Sequence, residues 1–214
     1  MSSPLTADQI LRAYALGVFP MARQHDDPKL YWVDPEKRGI LPLKDFHLPR
    51  SLRKVLKRGT FEMKIDTAFD EVLDLCAQST ARRPETWINA EIVRLFTDLH
   101  HAGLAHSVES WQDGKLVGGL YGLSLGSAFF GESMFSRATD ASKVALAYLA
   151  ALMKKGGYTL LDTQFVTDHL AQFGAVEIPR RDYLRLLAQA LDRPASFQGG
   201  LAMDEVVELL SEPT

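Results

Sequence analysis

The stretch AHSVESWQDGKLVGGLYGLSLGSAFFGESMFSR, residues 105–137, decides the fold. Asp113-Gly114 lies between two runs, Ala105 to Trp111 and Lys115 to Leu125, and is a strong hairpin signal because both positions tolerate the positive φ of a two-residue turn. A third run follows from Ser127 to Phe135, so three consecutive antiparallel strands are predicted. The third carries a polar cluster. Gly131-Glu132-Ser133-Met134-Phe135-Ser136-Arg137 sets a carboxylate and a guanidinium among hydroxyls and large apolar side chains. A buried charge costs several kcal/mol unless it is paired, so this cluster points to a site rather than to stability. Asp162 and Gln164 share the same setting near the end of another predicted strand, Tyr158 to Asp162. Two carboxylates and an amide on neighbouring strands make a candidate site.

Upstream, Thr6-Ala7-Asp8-Gln9 fits a capping box, and the helix it opens stops at Gly17 and Pro20. Residues 21–49 read as irregular, with a short hairpin expected around Tyr31-Trp32-Val33 and Gly39-Ile40-Leu41. This divides the chain into a small N-terminal subdomain, residues 1–45, and a main domain, residues 46–214. Phe61 to Ile65 alternates as a strand. Asp66, Asn89 and Asp140 are expected to cap helices ending near Cys76, Gly103 and Gly156-Gly157. Thr167 to Phe173 and Arg181 to Leu191 read as helices, and the tail from Ala195 is weakly patterned. The order of elements suits an α/β (α+β) fold, a sheet with helices on both faces.

The 214 residues are 46% apolar and 24% charged, an ordinary soluble composition. No apolar run approaches the roughly 20 residues that span a bilayer, and residues 1–9 carry no signal-peptide pattern. A single cysteine, Cys76, excludes an internal disulfide and a multi-cysteine metal site. The expected location is cytoplasmic, without a membrane. Neither a P-loop nor a G-x-G-x-x-G nor an H-E-x-x-H occurs, which argues against nucleotide binding by those loops and against a zincin. A net charge of −3 gives no global pull on nucleic acid, so any such contact needs a local patch. Arg50 to Arg58 supplies one: Arg50, Arg53, Lys54, Lys57 and Arg58 fall within an arc of roughly 140° on a helix, with Leu52, Val55 and Leu56 opposite. A charge run is usually a solvated face; five cations without an acid favour a phosphate contact. Trp87, in a loop before a helix, is a core plug or a base-stacking platform.

These residues resemble the leucyl/phenylalanyl-tRNA–protein transferase family. The resemblance rests on Gly118-Gly119-Leu120-Tyr121-Gly122, Gly131 to Arg137, Ala141-Ser142-Lys143, Leu161-Asp162-Thr163-Gln164, His169-Leu170, Gly174-Ala175 and Ile178-Pro179-Arg180. It extends from about Leu5 to Leu187. It implies a GNAT-like acyltransferase domain with a mixed, largely antiparallel sheet and helices on both faces, plus a small N-terminal subdomain. The implied activity moves leucine, phenylalanine or in some members methionine from aminoacyl-tRNA to proteins beginning with lysine or arginine, which marks them for degradation. No metal or coenzyme is expected, and a monomer is.

By resemblance, Asp162 and Gln164 are the catalytic pair: Asp162 orients and polarises Gln164, whose carbonyl oxygen accepts a proton from the attacking amine. Glu132 holds a cation of the acceptor; the plainer alternative is a buried pair with Arg137 or Lys143. Leu120, Phe129, Met134, Ser136, Leu146, Leu149 and Leu161 map to the donor side-chain pocket, although periodicity alone cannot separate them from core. Arg50, Lys54 and Lys57 match positions that hold the tRNA acceptor stem, and Trp87 an aromatic near the terminal adenosine. This chain has Phe19-Pro20-Met21 where the family has Phe-Pro-Trp, so Met21, or Trp32 in its stead, is expected to replace that tryptophan. Two competing readings are a coenzyme-A N-acetyltransferase, opposed by the missing glycine-rich pyrophosphate loop before Asp140, and a non-enzymatic tRNA-binding module.

Overall fold

A computed structural model describes residues 5–79 and 85–211; residues 1–4, part of the N-terminal stretch read above for a signal, lie outside them. The predicted capping box opens α1 (Ala7–Ala15): the Thr6 hydroxyl accepts the Gln9 N–H while the Gln9 side chain accepts the Thr6 N–H. The chain continues through β1 (Phe19–Ala22), β2 (Leu30–Val33), β3 (Lys37–Ile40), α2 (Arg50–Lys57), β4 (Glu62–Ile65), α3 (Phe69–Ala77) and α4 (Ala90–His101). Then come β5 (Ala105–Gln112), β6 (Lys115–Leu125), β7 (Ala128–Ser136), α5 (Ala141–Gly156), β8 (Leu160–Gln164), α6 (Asp168–Ala171), β9 (Val176–Pro179), α7 (Arg180–Leu191) and α8 (Met203–Leu209).

The main sheet runs β4-β5-β6-β7-β8-β3-β9. Asp113 and Gly114 both take positive φ, 50° and 71°, as the two-residue turn between β5 and β6 demands. Every pairing is antiparallel except β7 with β8, where α5 provides the crossover that a parallel pair needs. The sheet is therefore mixed and largely antiparallel, as expected. Alternation along its strands feeds two cores. Leu120, Phe129 and Leu161 meet α2, α5 and α8 on one face; Tyr121, Phe130 and Leu160 meet α1, α3, α4 and α7 on the other. Helix α5 is buried nearly all round, and its alanines permit this. A Cβ on Gly118 would come within 2.5 Å of the Ala141 methyl, so that crossing of α5 over β6 requires glycine. No helix among the described residues is long and apolar enough to cross a membrane.

Several expectations change. The hairpin between Tyr31-Trp32-Val33 and Gly39-Ile40-Leu41 does not form. Leu30–Val33 pairs with Phe19–Ala22 instead, and Lys37–Ile40 enters the main sheet between β8 and β9. Long-range pairing overrides the local turn because β3 brings Arg38 to a buried carboxylate, described below. Asp66 does not cap α3. It takes φ 57°, and its carboxylate accepts the Ser107 N–H at 2.8 Å and pairs with His106 Nδ1 at 2.7 Å. Glu109, buried on β5, does the capping: its Oε1 accepts the Thr67 and Ala68 N–H groups at 2.9 and 2.8 Å. Asp140 precedes α5 but makes no side-chain cap and instead holds Lys143 at 2.8 Å. Asn89 caps α4 as predicted. Strands β1 and β9 and helix α8 were not legible, the strands being four residues each and α8 following an unpatterned tail.

Gly122 tests how tightly β6 and β7 close. An added Cβ would lie 2.3 Å from the Phe130 carbonyl oxygen and 2.5 Å from Phe129 Cε1. Gly122→Ala is expected to lower the unfolding free energy by about 1–3 kcal/mol, as overpacking does. Urea denaturation measures it, and an unshifted midpoint would mean that the strands yield without strain.

Candidate active site

Two backbone irregularities build the site. Along β6 and β7, Tyr121 pairs with Ser133 and Gly122 with Gly131, which leaves Glu132 as an extra residue on β7. Along β3 and β8, Gly39 pairs with Gln164 and Ile40 with Asp162, which leaves Thr163 extra on β8. Such bulges re-aim side chains next to functional sites. Gln164 takes φ 56°, a left-handed conformation uncommon outside glycine. The Asp162 carboxylate holds this turn by accepting the Gln164 N–H at 2.8 Å.

Asp162 is fully buried and has no unpaired oxygen. Arg38 grips it in a fork, Nε to Oδ1 at 2.9 Å and Nη2 to Oδ2 at 2.8 Å. The Tyr183 hydroxyl donates to Oδ2 at 2.6 Å. Arg38 Nη1 donates to the Gly17 carbonyl at 2.9 Å, and the guanidinium lies between the Phe19 and Tyr183 rings at 4.5 and 4.6 Å. Burial first, and then the Asp162 charge, push the Tyr183 phenol well up, so it remains a donor. The fork, the stacking and the carbonyl contact together satisfy a charge pair that would otherwise destabilise the interior.

Glu132 differs: its partners are neutral. Its Oε1 accepts the Tyr14 hydroxyl at 2.8 Å and the Gln164 side-chain N–H at 2.9 Å. Burial pushes the Glu132 carboxyl up to about 8, the Asp162 charge adding to it against those two hydrogen bonds and the Arg38 charge. Arg137 reaches Gln78 and Lys143 pairs with Asp140, so neither forms the pair with Glu132 weighed above. Asp162 meets the Gln164 backbone, whereas the Gln164 amide belongs to Glu132. The amide nitrogen being so committed, the amide oxygen is the atom available to a substrate.

Glu132 and Gln164 face a cleft of about 440 Å³. Of the seven residues mapped to the donor pocket, six line it: Leu120, Met134, Ser136, Leu146, Leu149 and Leu161. Phe129 does not; it is fully buried in the core and stacks on Phe197 at 5.4 Å. Met21 and Trp87 line the cleft, while Trp32 lines a separate hollow with His25 and Arg94. Arg50, Lys54 and Lys57 are exposed cations of α2 that do not line the cleft, with Leu52 and Leu56 anchoring the helix beneath them. The sequence reading missed Arg38, Tyr183 and the role of Tyr14. No local signal marks Arg38, which reads as one more surface charge. Gly122-Leu123-Ser124-Leu125-Gly126 has the spacing of a hydrolase elbow, which the sequence reading also missed. Ser124 lies within β6 and its hydroxyl meets Tyr158 at 2.7 Å, so it is no nucleophile on a strand-to-helix turn.

The leucyl/phenylalanyl-tRNA protein transferase family model matches residues 40–188, and the model of that family's N-terminal domain matches residues 3–36. A protein of Paramagnetospirillum magneticum named leucyl/phenylalanyl-tRNA–protein transferase is 64% identical over 194 residues, covering 91% of this chain and 93% of that one. One of the same name from Rhodospirillum rubrum is 56% identical over 210 residues, covering 98% of each. Among solved structures, L-PGS from Bacillus licheniformis aligns with 14% identity and a TM-score of 0.42 over 77% of this chain and 55% of its own, too slight a likeness to carry an argument. The two matched segments together span nearly the whole chain and include Glu132, Asp162 and Gln164, so the chain belongs to the leucyl/phenylalanyl-tRNA–protein transferase family.

Proposed function

We propose that the protein transfers leucine or phenylalanine from aminoacyl-tRNA to the α-amine of proteins that begin with lysine or arginine, marking them for degradation. It acts in the cytoplasm, as a monomer. The observation that carries this reading is the Glu132–Gln164 pair on the wall of an apolar cleft. The donor is an ester already activated by its ribose, so the protein must position it and manage one proton. The donor side chain enters between Leu120, Met134, Leu146, Leu149 and Leu161, where no charge competes for it. Met134 bends to accept branched or aromatic groups.

The attacking amine meets the Gln164 oxygen, which orients its lone pair toward the ester carbon. The neutral amine bonds to the ester carbon, and Glu132 takes the proton that its nitrogen then sheds. The raised proton affinity of the buried carboxyl suits it to accept that proton and to pass it on. A cation next to Glu132 favours its charged form, which selects a basic first residue over an acidic one. The new C–N bond replaces the bond to the ribose oxygen, and that oxygen finally carries the proton. Asp162 acts at one remove: with Arg38 it fixes the turn that aims Gln164. Arg50, Lys54 and Lys57 hold the tRNA acceptor stem, and Met21 and Trp87 flank the terminal adenosine.

Incubation with radiolabelled Leu-tRNA and a peptide beginning with arginine is expected to label that peptide and to spare one beginning with glutamate. Tight tRNA binding without transfer, or labelling from acetyl-coenzyme A instead, would overturn the reading. Gln164→Ala is expected to lower kcat about 100-fold while the Kd for tRNA holds.

The Glu132 carboxyl has a folded pKa of about 8 against an ordinary 4.5, so its contribution to stability is complete below pH 4.5 and is lost as pH rises through about 8. The urea midpoint of the protein should therefore fall between pH 5 and pH 9, and Glu132→Gln should flatten that slope. Arg50→Ala combined with Lys54→Ala should weaken tRNA binding and reduce the slope of log K against log salt by about 2, roughly one for each lost phosphate contact. A parallel, merely shifted line would make α2 a solvated face.

A further inference from the structure

Two polar atoms on the cleft wall have no task in this chemistry. The Thr163 Oγ1 and the His169 Nε2 are both buried and lack a hydrogen-bond partner among the described residues. Both residues line the same cleft as Glu132 and Gln164. Buried polar atoms are nearly always paired, because leaving one unpaired forfeits its solvation for nothing. Two in one cleft call for a substrate group.

Their position says which group. Along β8, Leu161 and Thr163 face the cleft, whereas Asp162 points the other way to Tyr183. Leu161 belongs to the donor side-chain pocket and Gln164 meets the amine. The ester carbonyl of the donor lies one carbon from its side chain and is the centre that the amine attacks. It must therefore sit between those two contacts, which is beside Thr163. His169 lines the same cleft from the first turn of α6, with its ring set edge-on against Phe173 at 5.7 Å. Burial, and then the Lys143 charge, hold the His169 imidazole below its usual range. It is thus a neutral ring rather than an imidazolium, and with its hydrogen on Nε2 it has one N–H to donate.

We propose that the Thr163 hydroxyl and the His169 Nε2–H together form the oxyanion hole of the transfer reaction. The proposal rests on the transferase reading above. When the amine nitrogen bonds to the ester carbon, the carbonyl π pair moves onto oxygen, and both donors point at that oxygen. Collapse restores the carbonyl and expels the ribose oxygen, which takes the proton held by Glu132. Donors left unpaired in the resting protein are what such a role requires, since nothing has to be broken to use them when charge develops.

Single-turnover transfer from Leu-tRNA to an arginyl peptide tests this, with Thr163→Val, His169→Phe and His169→Gln beside the wild type. The first two variants are expected to lose about 100-fold in rate, with the Kd for Leu-tRNA unchanged. His169→Gln, which keeps an N–H donor, should recover part of the loss. Two adenosine analogues report on the hole independently of turnover. A phosphonate analogue, tetrahedral and anionic, should bind Thr163→Val and His169→Phe about 100-fold more weakly than wild type, while an unreactive 3′-leucylamide analogue should bind all forms alike. Equal weakening of both analogues would reduce the two residues to shaping the cleft, and unchanged rates in both variants would overturn the assignment outright. If the wild type itself transfers no leucine, the transferase reading falls and takes this one with it; if it does and the variants match it, only the oxyanion assignment falls.

Discussion

The bidentate pair between Arg38 and Asp162 is the interaction on which the rest of the structure depends. It joins β3 to β8, and through Tyr183 and the Gly17 carbonyl it also fastens α7 and the loop after α1. Removing one partner of such a pair typically costs about 3–5 kcal/mol because the other charge is stranded. Here the stranded group would be Asp162, whose Oδ1 also holds the left-handed turn at Gln164. One ion pair thus determines which strand lies beside β8 and where the Gln164 amide points. That is why Lys37–Ile40 leaves the hairpin its local sequence suggests and joins the main sheet.

The same pair divides the labour between two carboxylates. Asp162 meets a guanidinium; Glu132 meets only a phenol and an amide. Burial acts on Glu132 with no cation bonded to it, outweighs the opposing Arg38 charge and the two hydrogen bonds, and moves its proton affinity to about 8. When environments push two neighbouring acids apart, the acid–base assignment follows from the environments. Arg38 therefore serves the proposed chemistry by being spent on Asp162: a guanidinium forked to Glu132 instead would occupy the carboxylate that the acceptor is to meet.

What the sequence made legible was local. The capping box at Thr6, the Asn89 cap, the Asp113-Gly114 turn and the basic arc of α2 each depend on residues a few positions apart, and each stands as read. What it concealed was long-range. Arg38 and Asp162 are 124 positions apart, and nothing near Arg38 distinguishes it from an exposed arginine. The Asp66 cap failed for the same reason: Glu109, from a distant strand, took the α3 amides that Asp66 was expected to take. At the site, the polar cluster from Gly131 and the pair Asp162 and Gln164 stood out because polar side chains on buried strands are costly. Leu146, Leu149 and Leu161 did not stand out, since α5 is buried on every side and the residues that line the cleft have the same character as those that fill the core. Only resemblance singled them out, and Phe129, chosen on the same grounds, went to the core.

The bulges explain how one sheet can be both core and active site. Without the extra residue at Glu132, strict alternation would send Met134 and Phe135 to the wrong faces, because a one-residue shift exchanges every side chain beyond it. With it, Met134 packs against the core under α5 and Phe135 into the opposite one, while Glu132 is aimed at Tyr14 and Gln164. Thr163 plays the same part on β8. Each bulge faces a glycine on the neighbouring strand, Gly122 for β7 and Gly39 for β8, and an added Cβ would meet the Phe130 oxygen at 2.3 Å in the first case and the Phe165 carbonyl carbon at 2.6 Å in the second. The glycines are the trace that the bulges leave in sequence: the partner strand gives up a side chain so that the backbone opposite can kink. The polar residues of the site are therefore positioned by the backbones of β3 and β6 as much as by their own strands.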